Sequence, residues 1–146
     1  MTNSIVDIAS AIPHRPPFLF VDRVVEMDDK RIVAEKYLSP DLDFFKGHYP
    51  HFPVMPGALT MESVIQAGAI LLSMAAGAGD VSKGTPVLVR VRDAKFKKMI
   101  RPGDTITLEA ELVERVANAF MMKGTAKVAG ETAVSVQFTC AMAEVG

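Results

Sequence analysis

Hydrophobic and polar residues alternate along two segments in the second half of the chain. In residues 105–114 and 131–142, every second side chain is apolar, and most of those between are polar or charged. A period of two is typical of antiparallel strands with one buried face. Residues 18–27 and 31–38, on either side of a polar turn, predict two more strands. The pattern therefore predicts an antiparallel sheet.

Residues 57–79 are apolar almost throughout and predict a long helix buried nearly all round. Pro56 or Gly57 suits its first turn, and glycines at positions 77, 79 and 84 suit its end. Ser4 predicts the cap of a short first helix that runs to Ile12, and residues 39–56 are expected to be irregular. The order α-β-β-α-β-β-β-β predicts an α+β fold in which a curved antiparallel sheet wraps one long central helix.

Length and charge narrow the class of protein. The chain has 146 residues, which fits a single domain over residues 1–146. Its net charge is −1, so it has no strong electrostatic field that would attract nucleic acid or an anionic membrane. Glu62, Gln66 and three flanking prolines argue against a membrane-spanning helix in the apolar stretch. The N-terminus lacks a secretory pattern, and the single cysteine, Cys140, is expected in the core, so a cytoplasmic location is predicted.

Polar residues follow one line along the predicted central helix. At about 100° per residue, Glu62, Gln66 and Ser73 share a narrow face with the small Ala69. Such a line on an apolar helix favours a groove for a long, mostly apolar ligand. Alternatively, Gln66 and Ser73 satisfy nearby backbone groups.

His48 lies fourteen residues before Glu62 and completes a candidate acid–base set. A histidine changes charge near neutral pH, and a carboxyl in apolar surroundings is costly unless it is paired. The first backbone N–H groups of the helix, at Gly57 and Ala58, would be free to stabilise a developing oxyanion. This set suits removal of a proton beside a thioester carbonyl with loss of a β-hydroxyl. The alternative is a loop histidine hydrogen-bonded to the backbone.

Two motifs resemble those of the FabZ-type 3-hydroxyacyl-acyl-carrier-protein dehydratases, which have the hot-dog fold. Residues 13–24 read PHRPPFLFVDRV, and residues 44–57 read FFKGHYPHFPVMPG, followed by Glu62 and Gln66. A weaker match covers residues 94–97 and 102–104. The resemblance runs in order along nearly the whole chain.

The resemblance implies dehydration of a (3R)-hydroxyacyl-acyl-carrier-protein to the trans-2-enoyl product, in fatty acid or lipid A acyl-chain synthesis. It makes His48 the base and Glu62 the acid, and it makes Gly57 and Gln66 substrate-site residues. Phe52 and Val54 are expected to contact substrate as well. It also implies a homodimer, with three dimers forming a hexamer, in which His48 of one subunit meets Glu62 of the other. No cofactor is expected beyond the carrier's phosphopantetheine, and the histidine spacing predicts no metal.

A basic cluster is the other candidate interaction site. Either it is an ordinary solvated face or it docks an acidic acyl carrier protein, which the resemblance favours. Its members are Arg90, Arg92, Lys95, Lys97, Lys98 and Arg101.

Several residues depart from the family pattern or fall outside the proposed chemistry. His51 and Phe52 replace a glycine and a basic residue, and Ile65 replaces a small residue. Residues 90–92 replace a run that borders the family's substrate tunnel, which puts the acyl-length preference in doubt. Asp22 and Arg23 are interpreted as structural ion-pairing residues, and His14 is given no catalytic role. The alternatives to a dehydratase are a hot-dog thioesterase, a coenzyme-A-linked hydratase and a non-catalytic acyl-binding scaffold.

Overall fold

The computed structural model describes residues 4–49, 51–74 and 85–143. Three helices are present in these ranges: α1 (Ile8–Ala11), α2 (Asp43–Gly47) and α3 (Gly57–Met74). The strands are β1 (Arg23–Met27), β2 (Arg31–Tyr37), β3 (Thr85–Phe96), β4 (Thr105–Val116), β5 (Ala119–Val128) and β6 (Glu131–Ala143).

The strands form one curved antiparallel sheet in the order β1-β2-β4-β5-β6-β3, and α3 lies across its inner face. Two glycines allow the close approach. A methyl group at Gly68 would come within 2.7 Å of the Phe138 ring, and one at Gly124 would come within 2.4 Å of Val64. The fold is the predicted α+β hot-dog arrangement.

The helix α3 is apolar and long enough to cross a membrane by length and composition, yet 61% of it is buried inside the fold. Its buried face meets apolar side chains from β2, β4, β5 and β6, including Ile32, Leu108 and Phe138, which are almost completely inaccessible to solvent. Burial of such side chains stabilises the fold by about 1.5–3 kcal/mol each. The prediction of a central buried helix is therefore confirmed, and its predicted glycine end lies outside the described residues.

The first predicted strand is too long. Residues 18–22 precede β1, and the Gln66 side chain takes the backbone groups that a neighbouring strand would have used. The Phe20 N–H donates to Gln66 Oε1 at 2.8 Å, and Gln66 Nε2 donates to the Phe18 carbonyl at 3.0 Å. One side chain from α3 thus fixes this segment beside the helix.

Two further expectations were wrong. Ser4 does not cap α1, because its hydroxyl donates to the Val6 carbonyl and accepts from the Val24 N–H at 2.8 Å. Residues 39–56 are not wholly irregular, since α2 lies within them and buries Phe45. Within this segment Tyr49 has left-handed backbone geometry, with φ of 51°.

Candidate active site

His48 follows α2 directly and is held by the backbone of its own loop. Its Nδ1 lies 3.0 Å from the Val54 carbonyl oxygen, which can only accept a hydrogen bond. The proton of the neutral ring therefore belongs on Nδ1, and Nε2 keeps the lone pair that a general base needs. His48 is thus a loop histidine hydrogen-bonded to the backbone, which was the alternative considered from the sequence. This hydrogen bond is compatible with a role as base.

The first turn of α3 lies beside His48. His48, Val54, Gly57, Thr60 and Phe96 line a cavity of about 420 Å³, called the His48 cavity below. The N–H groups of Leu59 and Thr60 both donate to the Pro56 carbonyl, and the Gly57 N–H has no acceptor among the described residues. This free donor is the predicted oxyanion group.

A neighbouring side chain leaves no room for a side chain at Gly57. A Cβ at this position would lie 2.7 Å from Cδ1 of the Phe96 ring, far inside van der Waals contact. Phe96, the last residue of β3, therefore packs against the first turn of α3, and any side chain at position 57 would displace its ring.

Glu62 lies one turn further along α3 and bonds to Gln66. The Gln66 Nε2 group donates to Glu62 Oε2 at 3.0 Å as well as to the Phe18 carbonyl. The alternative that Gln66 satisfies nearby backbone groups is therefore confirmed for this residue, which also bonds to the Glu62 carboxyl. Ser73, the far end of the predicted polar line, is half-buried.

The surroundings of Glu62 form a second cavity, of about 560 Å³, called the Glu62 cavity below. It is lined mostly by apolar side chains and the start of β3, and its polar groups include Glu62, Gln66, His14 and the Cys140 thiol. Burial, with a smaller contribution from the Glu62 charge, raises the pKa of Cys140 to about 12. Cys140 is thus a neutral core residue at physiological pH, as predicted.

His14 is the residue that the sequence interpretation missed. Its Nε2 lies 3.7 Å from Glu62 Oε2, and its ring is stacked on Phe18 with centroids 6.5 Å apart. The PHR motif was the available signal. His14 is 48 residues from Glu62 in the sequence, however, so the sequence alone did not indicate this contact. In the structure, the hydrogen bonds of Gln66 hold the segment against α3.

A row of aromatic rings joins the two motifs. Phe18 contacts Phe20, Phe20 contacts Phe44 and Phe44 contacts Phe45, with centroid separations of 4.9, 6.3 and 4.6 Å. The segment beside Glu62 and the helix leading to His48 are thereby packed together. Such aromatic contacts contribute about 0.5–1.5 kcal/mol each beyond area burial.

Within one chain the two candidate catalytic side chains line different cavities, His48 one and Glu62 the other. The structure brings His48 together with Val54 and Gly57, and it brings Glu62 together with Gln66 and His14. It does not bring the two groups together.

The remaining predicted site residues are distributed around these cavities. Phe52 is not among the residues lining either cavity; its exposed ring carries the Arg101 guanidinium 4.0 Å above its centroid. Lys97 and Lys98 line the His48 cavity, and a hydrogen bond from Lys98 lowers the pKa of Glu131. Arg90, Arg92 and Lys95 lie along β3.

The predicted structural ion pairs are confirmed. Asp22 lies 3.1 Å from Lys36 Nζ and accepts from the Tyr37 N–H at 2.7 Å, while Arg23 lies 2.6 Å from Glu35. Both pairs join the start of β1 to β2. Among the described residues, no three His, Cys, Asp or Glu side chains meet in a way that could hold a metal ion.

Comparison with known proteins places the chain in a family. Residues 12–137 match the model for the FabA-like domain. The 3-hydroxyacyl-[acyl-carrier-protein] dehydratase FabZ of Xanthomonas oryzae pv. oryzae (strain PXO99A) is 42% identical over 138 residues, which cover 93% of this chain and 90% of that protein. The protein of the same name from Xylella fastidiosa (strain M12) is 40% identical over 139 residues, covering 94% and 87%.

Solved structures with low sequence identity share the fold. The dehydratase heterocomplex ApeI:P from Xenorhabdus doucetiae matches with a TM-score of 0.78 at 14% identity, covering 95% of this chain and 92% of that chain. A hypothetical thioesterase from Streptococcus pneumoniae TIGR4 with coenzyme A matches at 0.66 and 13%, covering 84% and 85%. On the family model and the two curated relatives, the chain belongs to the FabA-like family.

Proposed function

We propose that this chain dehydrates (3R)-hydroxyacyl-acyl-carrier-protein to the trans-2-enoyl thioester, with His48 as base and Glu62 as acid. The observation that carries the assignment of the base is the tautomer of His48, because the Val54 carbonyl leaves Nε2 free to accept a proton. The reaction itself rests on the family and on relatives that bear this name at 40% identity or more.

The elimination needs one proton removed and one supplied. His48 Nε2 takes the α-proton, and the Gly57 N–H stabilises the negative charge that develops on the thioester oxygen. The C–O bond to the β-hydroxyl then breaks as the double bond forms, and the Glu62 carboxyl protonates the departing hydroxyl to give water. General acid–base catalysis contributes about 10² to 10⁴ in rate, and one oxyanion donor about 10² to 10³.

Two copies of the chain are needed to bring these groups together, and β3 offers the means. This strand is an edge of the sheet, with exposed Leu88, Val89 and Val91. Its first residues, from Thr85 to Leu88, line the Glu62 cavity, and its last residue, Phe96, lines the His48 cavity. Antiparallel pairing with a second copy about the middle of β3 therefore sets the Glu62 cavity of one subunit beside the His48 cavity of the other. Assembly of three such dimers stays a prediction.

The acyl carrier protein is the proposed partner, and the basic cluster is its proposed docking surface. Lys97 and Lys98 at the His48 cavity, with Arg101 close by on Phe52, would meet an acidic partner where the phosphopantetheine arm must enter. Arg90, Arg92 and Lys95 on β3 extend the surface. The substrate brings its own phosphopantetheine, so no other cofactor is proposed, and a cytoplasmic location stays a prediction.

The decisive experiment measures the reaction of the purified protein with 3-hydroxyacyl thioesters that are attached either to carrier protein or to coenzyme A. We expect water loss with the carrier-bound substrate, read as enoyl absorbance and by mass spectrometry. Release of free thiol would instead indicate a thioesterase, preference for coenzyme A would indicate a hydratase, and no reaction would indicate a scaffold.

The residue roles are tested with a matched pair of histidine variants. His48→Ala should reduce turnover by about 10² or more, whereas His51→Ala, three residues away on an exposed loop, should stay within about twofold of wild type. Equal losses in both variants would contradict the assignment of the base.

A further inference from the structure

The contact between His14 and Glu62 is not used in the proposed dehydration mechanism. Both side chains are largely buried, with 29% and 23% of their surfaces exposed, and both line the Glu62 cavity. His14 reaches this position because Gln66 binds the backbone at Phe18 and Phe20 and draws the preceding segment onto α3.

The other nitrogen of the ring indicates where the His14 proton resides. His14 Nδ1 is buried and has no hydrogen-bond partner among the described residues. In the neutral ring, a proton on Nδ1 would be a buried donor without an acceptor, which costs more than an unused lone pair. The single proton of the neutral ring therefore lies on Nε2, which faces Glu62.

The two oxygens of Glu62 have different surroundings. Oε2 accepts from Gln66 Nε2 at 3.0 Å and has His14 Nε2 at 3.7 Å. Oε1 has no partner among the described residues. At 3.7 Å the His14 contact is longer than a hydrogen bond, and catalytic hydrogen bonds are often long before substrate binds.

We propose that His14 is a positioning residue for Glu62. Its Nε2–H and the Gln66 amide together hold Oε2, and they leave Oε1 to carry the proton that goes to the departing hydroxyl. When that proton leaves, the carboxylate that remains is stabilised by both donors on Oε2. The proposal rests on Glu62 being the acid.

A double-mutant cycle between His14→Ala and Glu62→Gln tests the proposal. With Glu62 present, His14→Ala should reduce kcat about tenfold and change KM less than twofold, because the acid is misplaced while substrate binding is kept. In the Glu62→Gln background, the same change should alter residual turnover less than about twofold. His14→Gln, which can place an N–H donor near the Nε2 position, should recover turnover to within about threefold of wild type.

Arg15→Ala is the matched control within the same segment. Arg15 donates to the carbonyls of Ala9, Ile12 and His14 and has no contact with Glu62. Its effect on kcat should be the same factor in both backgrounds, as expected for a structural change alone. If Arg15→Ala shows the same non-additivity as His14→Ala, the positioning role is overturned.

The remaining outcomes separate this proposal from the proposed function. An equal loss for His14→Ala in both backgrounds, with Glu62→Gln still impaired, overturns only the role of His14. Wild-type turnover in Glu62→Gln overturns both the acid assignment and the positioning role. A His14→Gln variant as slow as His14→Ala also counts against the donor at Nε2, and thermal unfolding of each variant excludes misfolding as the cause.

Discussion

The His48 cavity and the Glu62 cavity fix their reactive groups by different means. The proposed base, His48, is held by a main-chain oxygen, the carbonyl of Val54, and the proposed oxyanion donor nearby is also a main-chain group. The proposed acid, Glu62, contacts side chains instead, from Gln66 on its own helix and from His14 on a distant segment. The first arrangement should tolerate changes of side chain that keep the loop, whereas the second should fail when one side chain is lost.

The largest expected effect comes from removing either reactive group and then mixing the variants. His48→Ala and Glu62→Gln should each reduce turnover by about 10² to 10⁴. If each site takes one group from each subunit, half of randomly reassociated dimers are mixed and each mixed dimer has one intact site of two. The mixture should then recover roughly a quarter of wild-type activity.

The measurement is turnover after partial unfolding and joint refolding of the two purified variants. Each variant refolded alone is the control. No recovery in the mixture would place both groups in one subunit and contradict the role of β3.

The second prediction compares the residues that orient acid and base. Gln66→Leu leaves the Phe20 N–H and the Phe18 carbonyl without partners, so it should lower the free energy of unfolding by about 1–3 kcal/mol for each group. It should also reduce kcat at least tenfold by releasing Glu62. Val54→Ala keeps the carbonyl that holds His48 and should reduce kcat less than threefold. Denaturant unfolding and steady-state kinetics check both, and similar kcat losses would remove the distinction between the cavities.

The third prediction concerns acyl length in the Glu62 cavity. Ile65 is buried and lines this cavity. Ile65→Ala opens space there, so kcat/KM should shift several-fold toward longer chains, at a cost of about 2–5 kcal/mol in the free energy of unfolding. Competition between carrier-bound substrates of different length measures the shift, and an unchanged ratio would mean that the acyl chain does not reach Ile65.

The last prediction is a dependence of stability on pH that has no effect near neutral pH. The pKa of the Cys140 thiol is raised from 9.0 to about 12, so the folded state binds this proton more tightly than the unfolded state does. Its contribution is complete below pH 9 and is lost as the pH rises toward 12, at up to about 1.4 kcal/mol per pH unit. Chemical denaturation of wild type and Cys140→Ala across this range should show a shallower decline in the variant. Parallel curves would contradict the burial of the thiol.

The sequence predicted best those features whose signals are local. Period-two alternation located β4 and β6, and the unbroken apolar run located α3, because each pattern lies within one element. His48, Gly57 and Glu62 were selected by their spacing at a helix start together with the family motif, and their roles stay predictions. Residues 18–22, by contrast, are as apolar as a true strand and were predicted as part of one. Their backbone is hydrogen-bonded to the side chain of Gln66, which is distant in the sequence.

The site features that were missed depend on contacts across the chain. His14 meets Glu62 only because the segment before β1 folds onto α3, and Phe96 meets Gly57 only because β3 ends there. The Arg101 guanidinium lies above the Phe52 ring, and the expected contact of Phe52 with substrate stays a prediction. None of these three contacts has a signature in residue type or in local periodicity.

The order of elements along the chain has a consequence for synthesis on the ribosome. The described part of α3 runs to Met74, but β3 to β6, which cover much of it, end only at Ala143. At roughly 5–20 residues per second, the 70 or so residues from Met74 to Ala143 take several seconds to emerge. During that interval α3, which is apolar enough to cross a membrane, is not yet covered by most of the sheet that buries it. The nascent chain should therefore depend on chaperones until translation ends, and changes that slow translation of this region should increase aggregation more than changes elsewhere.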